Sequence, residues 1–441
     1  MNNMKYFLTL ICSVMLFAAC NNDNEEPNNP STKADRTVIV YMSAENNLTY
    51  TESYGKFLSP DLQEIVKGSQ SLAGNQRLFV FVDSLKHGAN STGRPYIAEI
   101  RSGQMEVVKE YDTDFYASDP AQFQEAISWI VNRAPAESYG LVLWGHASGW
   151  LVNPDTIANS SNSRELSVAG FRGMRRAYGQ DKGTDVSVRN AEKWMNITQM
   201  AKALSTLPKF EFIFADCCNM MCAEVGYELR NVTNYLIGAP AEIPGNGAPY
   251  DKIVPLLYGN GSQLYKNIID TYYNYYLAYY KGDYFLDGYS VPLSVIDTKY
   301  MESLAQATHD ILDKFEGGYP VYPKEPNVGN IVYYLYDDYP VMYDMRAYIK
   351  SNTSAADFAA WENVFKQAVP YYRISLRWMT IYTSLEISMY AFNQDESLYG
   401  CVNMFIPKSE SSYAKSKYNY NKTCNNFGWN RAMDWSRYGW N

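Results

Sequence analysis

Residues 212–229 read FIFADCCNMMCAEVGYEL: an apolar run, three cysteines in close order, then a helical pattern. Residues 209–216 (KFEFIFAD) predict a strand apolar on both faces, as in a sheet covered on both sides. Residues 220–231 predict a helix directly behind it. In open α/β sheets, ligands bind beyond the carboxyl ends of the strands, and this strand delivers Asp216 and Cys218 there. A thiol just ahead of a helix is expected to have a lowered pKa, because the helix N-terminus carries partial positive charge. The stretch therefore asks whether its cysteines are a metal site, a disulfide framework, or one reactive thiol with two neighbours.

The flanking sequence repeats the strand and helix alternation. TVIVYMSA (37–44), RLFVFVD (77–83), YGLVLWGH (139–146) and NYLIGAP (234–240) predict buried strands. Residues 58–66 predict a helix with Pro60 in its first turn. Residues 95–111 alternate around an Arg-Ser-Gly turn and predict a hairpin. Asp119-Pro120 predicts the start of a helix whose Phe123, Ala126, Ile127, Ile130 and Val131 share one face. A short helix is expected over 197–204, and further strands over 289–297 and 399–407. The fold class is α/β, with a mostly parallel central sheet between two helical layers and a mixed α+β C-terminal part. The strand at 139–145 brings His146 to the same kind of edge that carries Cys218.

The cysteines narrow the chemistry. Zinc sites pair Cys-x-x-Cys ligands with a second pair elsewhere, and beyond Cys217, Cys218 and Cys222 the folded part holds only Cys401 and Cys424. No metal site is read from this pattern. Adjacent cysteines rarely pair without strain. Cys217 and Cys222 read as buried structural thiols, and Cys218 as the reactive one. The chain has three histidines; His87 in a polar loop and His309 in a helical run read as solvated or structural. The acidic pairs Glu224/Glu228 and Asp83/Glu45 have spacings too ordinary to argue glycosidase chemistry.

The motifs GHASGW (145–150) and ADCCNMMCAEVGYEL (215–229) resemble the His and Cys motifs of the clostripain family of caspase-like cysteine peptidases. VIVYMSAENNLT (38–49) is similar to that family's first strand and polar turn, and GCVNMFIP (400–407) to its late strand. Ala147 stands where the family has glycine, and Cys217 where it has alanine. The resemblance implies a caspase-like three-layer α/β/α sandwich, Cys218 as nucleophile and His146 as its acid/base partner. It implies an oxyanion held by the backbone N–H groups of Ala147 and Cys218, and Asp216 at the floor of an S1 pocket for Arg or Lys. Glu242, in APAEIPGNG, adds a second acid near that pocket. It further implies self-cleavage in the polar segment 151–195, where Arg164, Arg172, Arg175, Arg176 and Lys182 are candidate sites. No cofactor is required for such chemistry; calcium dependence occurs in some relatives and cannot be read from this sequence.

The N-terminus reads as a targeting segment. Lys5 precedes the apolar YFLTLICSVMLFAA (6–19), and FAAC resembles a bacterial lipobox with Cys20 as the lipidation site. The organisation read from sequence is a signal peptide over 1–19, a flexible stalk over 20–35, a peptidase core over 36–259, and a C-terminal region over 260–441 completing the sheet. The acidic start of the stalk resembles a Bacteroidetes surface-export signal, implying a lipid anchor in the outer membrane. A net charge of −9 argues against a nucleic-acid partner. The forty tyrosines fit an extracellular, partly polar surface, with sugar-facing platforms as one use. Three functions follow: a membrane-tethered cysteine endopeptidase acting on proteins or peptides, a non-catalytic surface lipoprotein binding glycans or proteins, or an inactive peptidase-like scaffold.

Overall fold

Strand β1 (Ala34–Ala44) shows why the central strands read as unbroken apolar runs. Its Ile39 and Tyr41 face one core with Phe123 and Ile127, while Val38, Val40 and Met42 face another with Ile65 and Tyr272. Each such side chain removed from water contributes about 1.5–3 kcal/mol, so the pattern stabilises the sheet only when both faces are covered. The computed structural model describes residues 33–49, 56–85, 93–151, 177–182, 193–284, 286–315, 333–336, 340–375, 377–382, 386–391, 396–407 and 420–438. The calls on Cys20, the signal peptide and most of the stalk lie outside these residues.

The other strands are β2 (Gln76–Ser84), β3 (Tyr96–Arg101), β4 (Gln104–Glu110), β5 (Ala136–Trp144), β6 (Tyr178–Asp181), β7 (Lys193–Met195), β8 (Phe210–Asp216), β9 (Thr233–Gly238), β10 (Leu293–Asp297), β11 (Tyr333–Tyr336), β12 (Pro340–Asp344), β13 (Tyr371–Arg373), β14 (Arg377–Tyr382), β15 (Glu386–Ala391) and β16 (Asn403–Met404). The central sheet runs β13-β10-β9-β8-β5-β1-β2-β3-β4. Its middle is parallel, from β2 through β1, β5 and β8 to β9. Antiparallel pairs close both edges, β3 and β4 on one side and β10 and β13 on the other. The chain after residue 260 thus supplies two strands of the same sheet.

One face carries α2 (Pro120–Arg133), α3 (Ile197–Leu204), α4 (Ala223–Leu229), α7 (Met301–Leu312) and α9 (Ala355–Ala368). The other carries α1 (Leu58–Gly68), α5 (Tyr250–Ile253) and α6 (Gly261–Tyr279). The three-layer α/β/α architecture expected from the sequence is the one observed. Asp119 caps α2 by accepting from the N–H groups of Ala121 and Gln122, with Pro120 at the first helical position, where its missing N–H costs nothing.

Four local expectations are corrected. The strand placed at 289–297 begins only at Leu293, because Pro292 cannot donate to the ladder. The run 399–407 contributes just β16, which joins β12 in a separate small sheet, with α8 (Met345–Asn352) following β12. The helix expected over 220–231 is α4, starting at Ala223 with Cys222 as its N-cap. Residues 219–221 cannot be helical: Asn219 has φ +58°, and the N–H groups of Asn219 and Met221 donate to the carbonyls of Ala241 and Ala239. Finally, many tyrosines are interior. Tyr272, Tyr273 and Tyr276 on α6 are buried with their hydroxyls bonded to Asp216, Ile374 and Gly247, which is how a buried phenol avoids an unpaired donor.

Candidate active site

Strands β5 and β8 are parallel neighbours, with Trp144 opposite Asp216. His146 and Cys218 each lie two residues beyond that row, so both chains leave the sheet at one rim. Gly145 turns the first chain at φ +141°, where an added Cβ would lie 2.8 Å from the Ser43 carbonyl oxygen. Gly149 has φ +62°, and a Cβ there would come within 2.4 Å of the Asn219 carbonyl and 2.7 Å of Cys222 Sγ. Only glycine fits such a backbone. The His loop therefore sits directly on the Cys loop.

The Cys loop is held from below and behind. Besides its bonds to residues 239–241, Met221 accepts from the Asn403 N–H, and Cys222 Sγ donates to the Asn219 carbonyl. Glu224, fully buried in the first turn of α4, accepts from the Phe405 N–H at 2.8 Å. The late segment around Asn403 is a brace for the Cys loop, although it is barely a strand.

His146 is half-buried and its Nε2 lies 2.6 Å from Asn47 Oδ1. An amide oxygen only accepts, so the proton sits on Nε2 and the lone pair of the neutral ring on Nδ1. Asn47 leaves β1 in a turn built by Asn46, whose Nδ2 donates to the carbonyls of Ser43 and Gln180. Sequence reading saw the Asn-Asn-Leu turn and gave Asn47 no role. The available signal was a polar turn at the end of a strand beside β5.

Cys218 is half-buried, and the Ile243 N–H donates to its Sγ at 3.5 Å. Burial first, then the Glu242 carboxylate, pushes its thiol up to about 12, while the Ile243 N–H works the other way. This reverses the lowered pKa expected from sequence. The cause is geometric: α4 starts at Ala223, five residues after Cys218, and a carboxylate stands beside the sulfur. Glu242 is 7% exposed, and burial pushes its carboxyl up to about 7.

Asp216, 3% exposed, points to the α5/α6 side of the sheet. Its Oδ2 accepts from the Ala248 N–H and the Tyr250 hydroxyl, and its Oδ1 from the Tyr272 hydroxyl, all at 2.8–3.0 Å. Nearby, Asp61 Oδ2 accepts from Trp144 Nε1 at 2.6 Å. Burial and the Asp216 charge push Asp61 up to about 9. A Cβ on Gly247 (φ +56°) would reach 2.7 Å from Asp216 Oδ2 and 3.5 Å from Asp61 Oδ2, so both acids back the same loop. Asp61, Tyr250 and Tyr272 were missed in the sequence because they come from α1, α5 and α6, far away in the chain.

A family model described as the clostripain family matches residues 40–440. The chain belongs to the clostripain family. It is similar to a secreted cysteine protease of Bacteroides thetaiotaomicron solved with an irreversible peptide inhibitor, at 27% identity and TM-score 0.72. That match covers 92% of this chain and 100% of the other. A Parabacteroides distasonis protease solved as an inactive zymogen shares the fold at 22% identity and TM-score 0.67, covering 91% and 99% of the two chains. Among curated proteins none matches. This clostripain-family chain is therefore a cysteine protease, a hydrolase of protein or peptide substrates, and the non-catalytic reading of its sequence falls away.

The remaining predicted residues of this protease can be placed. Ala147 pairs with Tyr178 of β6 in a bridge whose hydrogen bonds are made by its neighbours, Ser148 N–H to Ala177 and Gly179 N–H to the His146 carbonyl. In that antiparallel pattern the Ala147 N–H faces away from β6. Lys182 is exposed at the end of β6. Arg164, Arg172, Arg175 and Arg176 lie outside the described residues, as does His87. His309 lies on α7 with Nδ1 2.9 Å from Asp310 Oδ1. Cys217 and Cys222 are fully buried. Among the described residues, no helix is long and apolar enough to cross a membrane.

Proposed function

We propose that this protease cleaves chains after Arg or Lys with Cys218 as nucleophile and His146 as acid/base partner. The observation that carries the reading is the seating of the His loop on the Cys loop through Gly149, beside two buried carboxylates. His146 Nδ1 takes the thiol proton as sulfur attacks the scissile carbonyl. The N–H groups of Ala147 and Cys218 receive the developing oxyanion, an interaction worth about 3–4 kcal/mol in related acyl transfers. The imidazolium returns its proton to the leaving amine, and a water activated by the neutral ring releases the acyl group. Asp216 and Glu242 supply the negative charge for a P1 guanidinium or ammonium.

The protein matures by its own cut after a basic residue in the segment 151–195. Purified wild type is expected to turn over fluorogenic Arg and Lys peptides under reducing conditions and to run as two fragments on a denaturing gel. A single intact band from wild type removes the maturation step, and turnover confined to acidic or apolar P1 residues removes the specificity.

Cys20 carries a lipid anchor that holds the enzyme at the outer membrane. Wild type is expected in the detergent phase of a Triton X-114 partition and Cys20→Ala in the aqueous phase; equal partition of the two rejects the anchor.

A further inference from the structure

A buried hydroxyl stands at the Cys218 rim with nothing to bind. Tyr289 is fully buried, and its hydroxyl is without a hydrogen-bond partner among the described residues. The interior tyrosines around it avoid that state: Tyr250 and Tyr272 donate to Asp216, Tyr273 to the Ile374 carbonyl and Tyr276 to the Gly247 carbonyl. A buried hydroxyl left unpaired costs stability, and each such atom in a native protein calls for a reason.

The sheet register places this side chain. β10 runs antiparallel to β9 with Ser294 opposite Gly238. Tyr289 lies five residues before Ser294, as Ile243 lies five after Gly238. β9 is parallel to β8, with Gly238 opposite Ala215. The segments carrying Cys218, Glu242 and Tyr289 therefore meet the sheet at one rim. The Tyr289 backbone is pinned next door, where the Ser290 hydroxyl donates to the Tyr273 carbonyl and the Ser375 hydroxyl to the Ser290 carbonyl. Its ring packs on Tyr280 at 5.4 Å, and Tyr280 stacks on Tyr276 at 5.8 Å. Tyr276 in turn donates to Gly247, which lies against Asp216 Oδ2. The Tyr289 hydroxyl is within electrostatic reach of Cys218 and Glu242, and Tyr276 of both Asp216 and Tyr289. Tyr289 thus belongs to the wall that joins the Asp216 floor to the Glu242 side of the proposed S1 pocket.

The acceptors left open decide what such a wall can hold. Asp216 already accepts from Ala248, Tyr250 and Tyr272, close to the roughly four hydrogen bonds a carboxylate can take. Glu242 differs: burial raises its pKa and no donor works against burial, as donors do at Asp216. What remains open is the last lone pair of Asp216, the Glu242 carboxylate and the Tyr289 oxygen. A lysine ammonium carries three N–H donors in tetrahedral array and needs single acceptors from three directions. An arginine fork is matched bidentately by one carboxylate.

We propose that Tyr289 is a specificity-determining residue whose hydroxyl donates to Glu242 and accepts from the ammonium of a P1 lysine, so that the pocket favours Lys over Arg. The inference rests on the basic-P1 reading above and adds which cation the pocket prefers. In the rival reading the hydroxyl serves the sulfur or the oxyanion at Cys218, and so acts on every substrate alike.

The test is Tyr289→Phe in the full chain, which keeps the ring and removes only the oxygen. Its melting temperature is expected at or above that of wild type, because the lost hydroxyl had no partner. Peptides differing only in P1 then separate the readings. Wild type should favour Lys over Arg. In Tyr289→Phe, kcat/KM for the Lys peptide should fall about 10- to 100-fold, as for a lost hydrogen bond to a charged group, and for the Arg peptide by only a few-fold. Alkylation of Cys218 by iodoacetamide, which needs no P1 group, should keep its wild-type rate. A wild type that prefers Arg, or a variant with an unchanged Lys-to-Arg ratio, overturns the role of Tyr289 alone. Slower alkylation together with equal losses on both peptides overturns it in favour of the rival. A wild type that cleaves after neither Lys nor Arg removes the basic-P1 reading, and this inference with it.

Discussion

Cys218→Ala is expected to lower kcat/KM on Arg and Lys peptides by about 10,000-fold or more, His146→Ala by nearly as much, and the double variant no further than the worse single. Groups that act in one proton transfer are lost together, so their effects do not add. The structure makes the interdependence sharp. With the thiol pushed up to about 12, roughly one molecule in 100,000 carries a thiolate at pH 7. In the proposed dyad, sulfur would therefore gain its nucleophilicity by handing its proton to His146 during attack. In His146→Ala, alkylation of Cys218 by iodoacetamide should climb about tenfold per pH unit through pH 10, without the plateau near 8.5 of an ordinary thiol. A plateau below pH 9 in that variant refutes the buried-thiol account, and a double variant far slower than either single refutes the dyad. Asn47→Ala, which leaves both reacting groups but releases the ring, should fall between, at about 10–100-fold in kcat with KM little changed.

The frame of this protein is legible because burial writes itself into composition. Val38 to Met42 and Phe212 to Ala215 are apolar at every position, which only a doubly covered strand tolerates. Two adjacent parallel strands then bring whatever follows them to one rim, so His146 and Cys218 could be associated without coordinates. The electrostatics of the site was not legible. It depends on where α4 begins, and that is decided by hydrogen bonds from Asn219 and Met221 to a loop twenty residues downstream. The floor was hidden for a similar reason. Tyr250, Tyr272 and Asp61 meet Asp216 only after three helices pack, and a tyrosine in sequence does not announce whether its hydroxyl faces water or a carboxylate. Glu45 and Asp83 looked unremarkable at 38 residues apart; the parallel register of β1 and β2 makes them neighbours, since it pairs Ser43 with Asp83.

The two acids proposed for S1 are expected to respond differently to loss of charge, and the difference follows from their surroundings. Asp216 is gripped by three donors and stands beside Asp61, which is neutral near pH 7 because it is pushed up to about 9. Asp216→Asn keeps the shape and removes the charge proposed to meet P1, so kcat/KM for Arg substrates should fall about 100- to 1,000-fold, as for one half of a buried ion pair. The same variant disturbs Tyr250 and Tyr272, so a fall in melting temperature is also expected. The discriminating readout is the ratio of Arg to citrulline substrates, which a merely loosened fold would leave unchanged. Glu242 titrates near 7 beside the sulfur. Above that pH its charge attracts a basic P1 but raises the thiol pKa; below it, both effects fade. Glu242→Gln should therefore lose about 10-fold in kcat/KM for Arg peptides at pH 8, while its Cys218 reacts faster than wild type with neutral iodoacetamide at the same pH. At pH 5.5, where the wild-type carboxyl is already protonated, the two proteins should alkylate at the same rate. Equal alkylation of Glu242→Gln and wild type at pH 8 would place the carboxylate too far from Cys218 to matter.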